Sequence, residues 1–482
     1  MAALVILVTL VTAPSSAVVS TNVPLGHWSY QAVDKLANYG LIESAMLTMK
    51  PLSRMEMARN VAQAVYALQS MENPPPLLIT IIDRLKEEFK EELIYMGILD
   101  GSYAGSAIKP LEDPYAMYLY ARDKPDLENI RGDEFQAGAN FRAGFASRAR
   151  LFNTLAFYVH PEYAAPAPDG DVELIEVYGK AMLGPFEVEG GRDSLWWGPG
   201  CHGALLVSNN AEPFTMVKVS NPQPLQLPWI FRYIGLIQGQ WFLTELEEDR
   251  DCPGAKLSGL RLAFKPHPAV ELGATRMIMF GGEGAPAISW FDYVKTMMQF
   301  SEEQAEDNQL AGMDGSFLLP LPGSLPLRSV KLYGDFMGED SVHSAPSRWS
   351  YLAGLQLNDI LRTGRTDLCL EWTHTNPAAY IHNIYTSGYT YEGRVIGHFA
   401  GTNADDFFIQ LSHYLTADIL IDLAYDELVR SRKSEDVTRR MLAANLTMFP
   451  FTDWRIRAGY RYERKTNDDD NHVLALELIR RF

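Results

Sequence analysis

Two hydrophobic periods divide the chain at about residue 133. Before it, apolar residues recur at helical spacing. Segment 31–39 carries Ala32, Val33, Leu36 and Ala37 on one face, and segment 55–69 carries Met57, Val61, Ala64, Val65 and Leu68. Ser53 with Glu56 has the spacing of a capping box opening the second helix. Pro74, Pro75 and Pro76 form a stiff spacer. The spacing then predicts a third helix over 77–96, with Leu78, Ile81, Ile82, Leu85, Phe89 and Leu93 inward and a charged, solvated face opposite.

After residue 133 the period becomes two. In 455–463, Ile456, Ala458, Tyr460 and Tyr462 oppose Arg455, Arg457, Arg461 and Glu463. In 418–426, Ile419, Ile421, Leu423 and Tyr425 oppose Asp418, Asp422 and Asp426. In 367–373, Leu368, Leu370 and Trp372 oppose Asp367, Cys369, Glu371 and Thr373. The last segment, 473–482, aligns Leu474, Leu476, Leu478 and Phe482, with Arg480 interrupting. Half-polar strands of about ten residues, aromatic near their ends, fit a transmembrane β-barrel better than a soluble sandwich. Roughly 350 residues at about 19–22 per strand and turn predict about 16–18 antiparallel strands.

The expected organisation is a leader over 1–17, a helical domain over 22–70, a helix and linker over 71–132, and a barrel over 133–482. The leader reading rests on the uncharged apolar run 1–11, followed by Ser15 and Ala17 at small-residue cleavage positions. No later stretch is apolar for the ~18 residues that a membrane helix needs. An exported barrel with its small helical domain in the periplasm is the expected placement.

Charge and chemistry narrow the function. The 482 residues carry a formal net charge of -18, which argues against a nucleic-acid partner. The three cysteines, Cys201, Cys252 and Cys369, include no CxxC pair, so no metal site is expected from them. A Cys201–Cys252 disulfide and a fully unpaired set both remain open. There is no G-x-S-x-G elbow, H-E-x-x-H helix or P-loop. Glu247 and Glu248 are neighbours that would diverge on a strand, which does not suit a glycosidase pair. The reading is non-enzymatic, with no catalytic residues and no cofactor.

Two resemblances add to this. Val23-Pro24, His27-Trp28-Ser29-Tyr30, Gly40-Leu41-Ile42 and Pro51-Leu52-Ser53-Arg54-Met55-Glu56 resemble the S-layer homology domain. That resemblance implies wall-polymer or peptidoglycan binding through Trp28 and Arg54. In place of the family's Asp-Gly turn, this chain has Ser44-Ala45-Met46-Leu47-Thr48-Met49. Further along, Gly190-Gly191-Arg192-Asp193-Ser194-Leu195-Trp196-Trp197-Gly198-Pro199-Gly200 precedes Leu205-Leu206-Val207-Ser208-Asn209-Asn210-Ala211, Pro228-Trp229 and Leu246-Glu247-Glu248-Asp249-Arg250. This series resembles the capsule assembly protein Wzi family. The resemblance implies an outer-membrane barrel, set in outer-membrane lipid, that works with capsular or extracellular polysaccharide.

The candidate polysaccharide contacts are Arg192, Asp193, Trp196, Trp197, Asn209, Asn210, Glu247 and Arg250. Charged and amide groups suit hydroxyls and uronic acids, and indoles stack on sugar rings. The same residues could instead pack a plug, because Gly-Pro-Gly is turn chemistry by default. A diffusion porin tuned by Arg455, Arg457 and Arg461 is the rival reading.

Overall fold

Inward and outward faces along each strand set the architecture. A computed structural model describes residues 18–166, 171–286, 288–298, 307–342, 345–431, 436–466 and 469–481. The expected leader and the terminal Phe482 lie outside the described residues. Eighteen strands close into an antiparallel barrel. They are β1 (Ala107–Ala121), β2 (Gly138–Leu151), β3 (Leu155–Ala165), β4 (Asp171–Leu183), β5 (Phe186–Asp193) and β6 (Phe214–Ser220). Next come β7 (Leu236–Glu245), β8 (Lys256–His267), β9 (Val270–Phe280), β10 (Asn308–Pro320), β11 (Ser329–Val342) and β12 (Ala345–Asn358). The last six are β13 (Thr366–Thr375), β14 (Ala404–Thr416), β15 (Ile419–Ser431), β16 (Asp436–Phe451), β17 (Trp454–Lys465) and β18 (Asn471–Arg480). The barrel closes where β1 pairs with β18, from Tyr115 opposite Ile479 to Ala121 opposite Val473.

The period-two faces fall as the sequence predicts. Trp372, Leu423, Tyr460, Leu474, Leu476 and Leu478 are exposed on the outer wall, while Glu371, Thr373, Asp426 and Glu463 are buried inside. Large apolar side chains also stand out near the tight turns, among them Phe152, Leu183, Leu361 and Phe451. A 3₁₀ turn, Trp229–Ile234, adds five more exposed apolar side chains at that end. The result is an apolar outer face of the kind a lipid-facing barrel wall presents.

One expectation is corrected. The wall begins at Ala107, inside the stretch assigned to a linker. Pro110 and Pro114 interrupt the period there, Asp113 takes a positive φ of 45°, and the β1–β2 register shifts twice between Lys109 and Tyr115. Bulges hide a strand from a period-two reading.

The helices precede the wall: α1 (Ser29–Tyr39), α2 (Arg54–Gln69), α3 (Pro76–Glu88) and α4 (Lys90–Tyr95). Ser53 caps α2 by accepting from the Glu56 amide at 3.1 Å, and Pro76 opens α3. The single helix expected over 77–96 breaks at Phe89, where φ and ψ are -108° and 30°. The carbonyl of Glu88 turns there to accept from the Arg54 guanidinium.

These helices are not a separate domain. Their apolar core, built on Val33, Leu36, Val61, Leu78, Ile82 and Phe89, includes Tyr414 and Leu420 of the wall. Ion pairs join Lys35 to Asp367 at 2.6 Å and Lys331 to Asp34 at 3.0 Å. Arg328 lies 3.6 Å over the Tyr39 ring. Arg84 reaches the Ala417 carbonyl at 2.9 Å and the Asp418 carboxylate. All these wall groups lie at the end with the short turns, so the helical unit covers that end.

Arg54 is the buried centre of this docking. Its guanidinium meets Glu92 at 2.9 Å, Glu88 at 3.2 Å and wall residue Glu112 at 3.8 Å. Removing one partner of a buried ion pair strands the others. Arg54→Ala should therefore destabilise the docked helices by about 3–5 kcal/mol. Denaturant unfolding followed through the fluorescence of Trp28 would read this loss.

Candidate functional site

A wide barrel needs filling, and three loops from the long-loop end supply it. Segments 122–137, 194–213 and 376–403 run into the lumen. On the β6–β12 side, Leu195, Trp197, Leu205, Leu206 and Val207 pack with Tyr380, Tyr385, Tyr389 and Ile396 of the third loop. Phe242, Met277, Leu310, Met337 and Leu352 meet them from the wall.

An irregular backbone inside a barrel exposes amides that water cannot reach. Wall carboxylates accept them. Glu371 takes hydrogen bonds from the amides of Cys201, His202 and Gly203 at 2.7, 3.2 and 2.9 Å, and from the Tyr333 hydroxyl at 2.8 Å. Asp335 accepts from the Leu205 amide at 3.0 Å, and Glu339 from the Tyr380 amide at 3.0 Å. A disulfide joins Cys201 to Cys369 on β13. This corrects the Cys201–Cys252 pairing: Cys252 is a buried free thiol, because the plug carries Cys201 away to β13.

Close approach explains two glycines of the plug. A Cβ on Gly203 would lie 2.1 Å from the His398 ring, and one on Gly200 would lie 2.0 Å from the Gly203 carbonyl oxygen. The N-terminal segment threads the same space from the other end. Asn22 donates to Asp193 at 2.7 Å and to Glu189 at 2.9 Å. Thr48 donates to Glu271 at 2.6 Å. Met49–Lys50 then pairs with Trp196–Trp197 as a two-residue ladder.

Each expected contact residue now has a place. Asp193 is buried against Lys218 at 2.8 Å. The Trp197 indole donates to Gln240 at 2.7 Å and stands edge-on to Phe242. Trp196, facing the other way, lies under the Lys50 ammonium at 5.6 Å. Asn209 donates to the Asn129 carbonyl, and Asn210 to that of Val395. These five hold the plug. Arg192 pairs with Glu212 and stays partly exposed. Arg250 joins Glu247 at 3.4 Å to the carbonyls of Gly388 and Thr390 at 3.1 Å each.

Arg192 and Glu247 thus converge on the hairpin formed by Thr390–Tyr391 and Arg394–Val395. Its Tyr391 packs at a tilt against Phe214, with centroids 5.1 Å apart, and lies in the field of Arg192, Glu392, Glu212 and Glu247. Burial, together with the carboxylates and against Arg192, raises the Tyr391 phenol, which stays protonated as a donor. The sequence reading missed Tyr391, which carries no local signal beyond its loop composition. Of the two expected wall-binding residues, Arg54 is enclosed by Glu88, Glu92 and Glu112, and Trp28 packs edge-on to Phe449 at 5.6 Å.

Two cavities remain on the polar side of the lumen. One, of about 580 Å³, is lined by Tyr30, Lys50, Lys265, Asp422 and Arg455; the other, of about 430 Å³, by Arg54, Arg131, Glu176 and Arg455. Burial pushes the Lys50 ammonium down to about 8. His27, between the two cavities, is lowered by burial to about 4, and His398 beneath the plug to about 3.

Two expected outcomes follow from this geometry. Glu371→Ala leaves three amides without an acceptor and should cost on the order of 3 kcal/mol, opening 194–213 to protease. Glu371→Gln should cost less, and limited proteolysis separates the two. Each buried histidine makes an acid-sensitive contribution to stability. The unfolded chain takes up protons at 6.5 that the folded chain refuses at His27 until about 4 and at His398 until about 3. The histidine contribution should therefore fall as pH drops below 6.5. His27→Gln should flatten the upper part of that fall in a thermal-unfolding series.

The comparisons agree with this architecture. Residues 119–475 match the family described as capsule assembly protein Wzi. An uncharacterized 55.8 kDa protein in the cps region of Klebsiella pneumoniae is 32% identical over 169 residues, covering 34% of this chain and 33% of that protein. The match thus spans about a third of the length of that relative. The solved structure of Wzi, an outer-membrane protein involved in group 1 capsule assembly in Escherichia coli and described as a carbohydrate-binding β-barrel, has the same fold. It superposes with a TM-score of 0.73 at 19% identity, over 95% of this chain and 99% of that one. OprD of Pseudomonas aeruginosa gives 0.48 at 8% identity, over 78% and 94%. With the family matched across the whole run from β1 to β18, the chain belongs to the capsule assembly protein Wzi family.

Proposed function

We propose that this outer-membrane barrel binds capsular or extracellular polysaccharide at its long-loop end, as part of assembling that polymer or holding it at the surface. The observation that carries this reading is the partly exposed rim cluster of Arg192, Glu212 and Tyr391, set on a plug fixed to the wall. Charge-assisted donors and acceptors beside an aromatic ring suit sugar hydroxyls and uronic acids. Short turns face the periplasm in such barrels, which puts the helical unit there and the rim outside. The Escherichia coli neighbour is a carbohydrate-binding barrel involved in capsule assembly, which supports the ligand class.

Peptidoglycan tethering would need Trp28 and Arg54 free, and both are engaged within the protein. We therefore read the helices as the closure of the periplasmic end. A diffusion porin is less favoured, because the plug loops fill part of the lumen and the helical unit covers its short-turn end.

Deleting the gene in its host should shift surface polysaccharide from the cell-bound to the released fraction. Wild-type protein should restore binding. A double variant, Arg192→Ala with Tyr391→Ala, should bind polymer about tenfold more weakly, the loss expected from one charge-assisted contact. An unchanged coat after deletion, together with steady conductance of the purified protein in planar bilayers, would favour the porin.

A further inference from the structure

We propose that Glu128, His202 and Asp426, with Asp406 alongside, form a binding site for a divalent transition-metal ion such as Zn2+ or Mn2+. The site lies at the seam between plug and wall, away from the rim cluster. The ligating atoms of Glu128, His202 and Asp426 all lie within 4.8 Å of one another. Ligands held at about 2.0–2.2 Å on one ion stand at most about 4.4 Å apart. Closure by a few tenths of an ångström brings the set into range.

The donors are aimed and unsatisfied. His202 Nε2, Asp426 Oδ1 and Asp406 Oδ1 are buried atoms without a hydrogen-bond partner. Their residues are 8%, 0% and 2% exposed. Nε2 of His202 lies 3.6 Å from Asp426 and 3.9 Å from Asp406. Such orphaned buried groups are rare in native structures and call for a partner. A partner placed between His202 Nε2 and Asp426 Oδ1 would satisfy both.

The surroundings hold the ligands still. The His202 ring lies flat on Phe408, with centroids 3.7 Å apart and planes 5° apart, and its edge meets Phe399 at 4.8 Å. Its backbone is pinned by Glu371 and by Asn129, whose side chain donates to the His202 carbonyl at 2.7 Å. Arg439 donates to Asp426 Oδ2 at 2.6 Å, which leaves Oδ1 free, and Arg461 donates to Glu128 at 2.8 and 2.9 Å. These guanidinium groups act as outer supports that orient the carboxylates.

Charge and donor type set the ion class. Asp126, Glu128, Asp406, Asp426 and Glu463 face Arg430, Arg439, Arg461 and Lys465, an excess of acidic over basic side chains that favours a cation. One imidazole among carboxylate oxygens suits zinc or manganese better than calcium or magnesium. The ion would join loop 122–137, the plug and strands β14 and β15 at one point. The bare alternative is a hydrogen bond between the Asp406 and Asp426 carboxyl groups, with no metal.

Purified full-length protein, stripped with chelator and reloaded with Zn2+ or Mn2+, tests the two. The expected result is one equivalent of metal per chain by elemental analysis, with a higher thermal midpoint than the stripped protein. His202→Gln and Asp406→Asn should each lose the retained metal and the midpoint shift, and Asp406→Asn leaves the Arg439–Asp426 pair intact. Failure of the wild-type chain to retain stoichiometric metal would overturn the site, as would equal retention by both variants. Neither readout depends on polysaccharide, so this result stands apart from that of the capsule experiment.

Discussion

The Glu371 carboxylate, holding three consecutive plug amides, shows the constraint on which the interior depends. A closed wall satisfies its own backbone, but loops folded inside it do not. Their amides need acceptors, and the inward side chains of the strands provide those that the loops do not give one another. Glu371, Asp335 and Glu339 do this for the plug, and Glu271 does it for the Thr48 amide of the N-terminal segment. Part of the net charge of -18 is thereby explained. A side chain that accepts from several amides is best a carboxylate, and many inward acidic residues serve backbone rather than ligand.

The same constraint explains what the sequence disclosed. The strand faces at β13, β15, β17 and β18 were legible because lipid on one side and polar lumen on the other enforce a strict period of two. The helices were legible because α1, α2 and α3 each bury one stripe. β1 was not, since Pro110, Pro114 and its bulges break the period exactly where Glu112 must reach Arg54. The plug was unreadable for another reason. Its segments are fixed by partners far off in the chain, 130 positions for Leu205 on Asp335 and 189 for Ser208 on Gly397. No local pattern encodes such pairings, and the disulfide followed the same logic.

Candidate contacts divide by that rule. Sequence chemistry cannot tell a tryptophan offered to a sugar from one that fills a lumen. Trp196 and Trp197 occupy a two-residue ladder with Met49–Lys50, so a feature that looked like recognition locks two distant segments together. Arg192 escaped this fate because it stays partly exposed, beside a hairpin whose Tyr391 is only half-buried. Position relative to the mouth decides between packing and contact, and position is a property of the closed barrel.

Rigidity then connects packing to recognition. Binding a polymer costs affinity whenever the binding loops must first be ordered. Here the 376–403 loop that carries Tyr391 is ordered beforehand by its own buried tyrosines. Tyr380 donates to the Leu205 carbonyl at 2.7 Å, and Tyr389 donates to that of Leu206 at 2.9 Å. Leu205 is in turn held by Asp335 of β11. The rim is thus continuous with the wall through two hydrogen-bonded steps, and the barrel serves as the stiff base of its outermost loops.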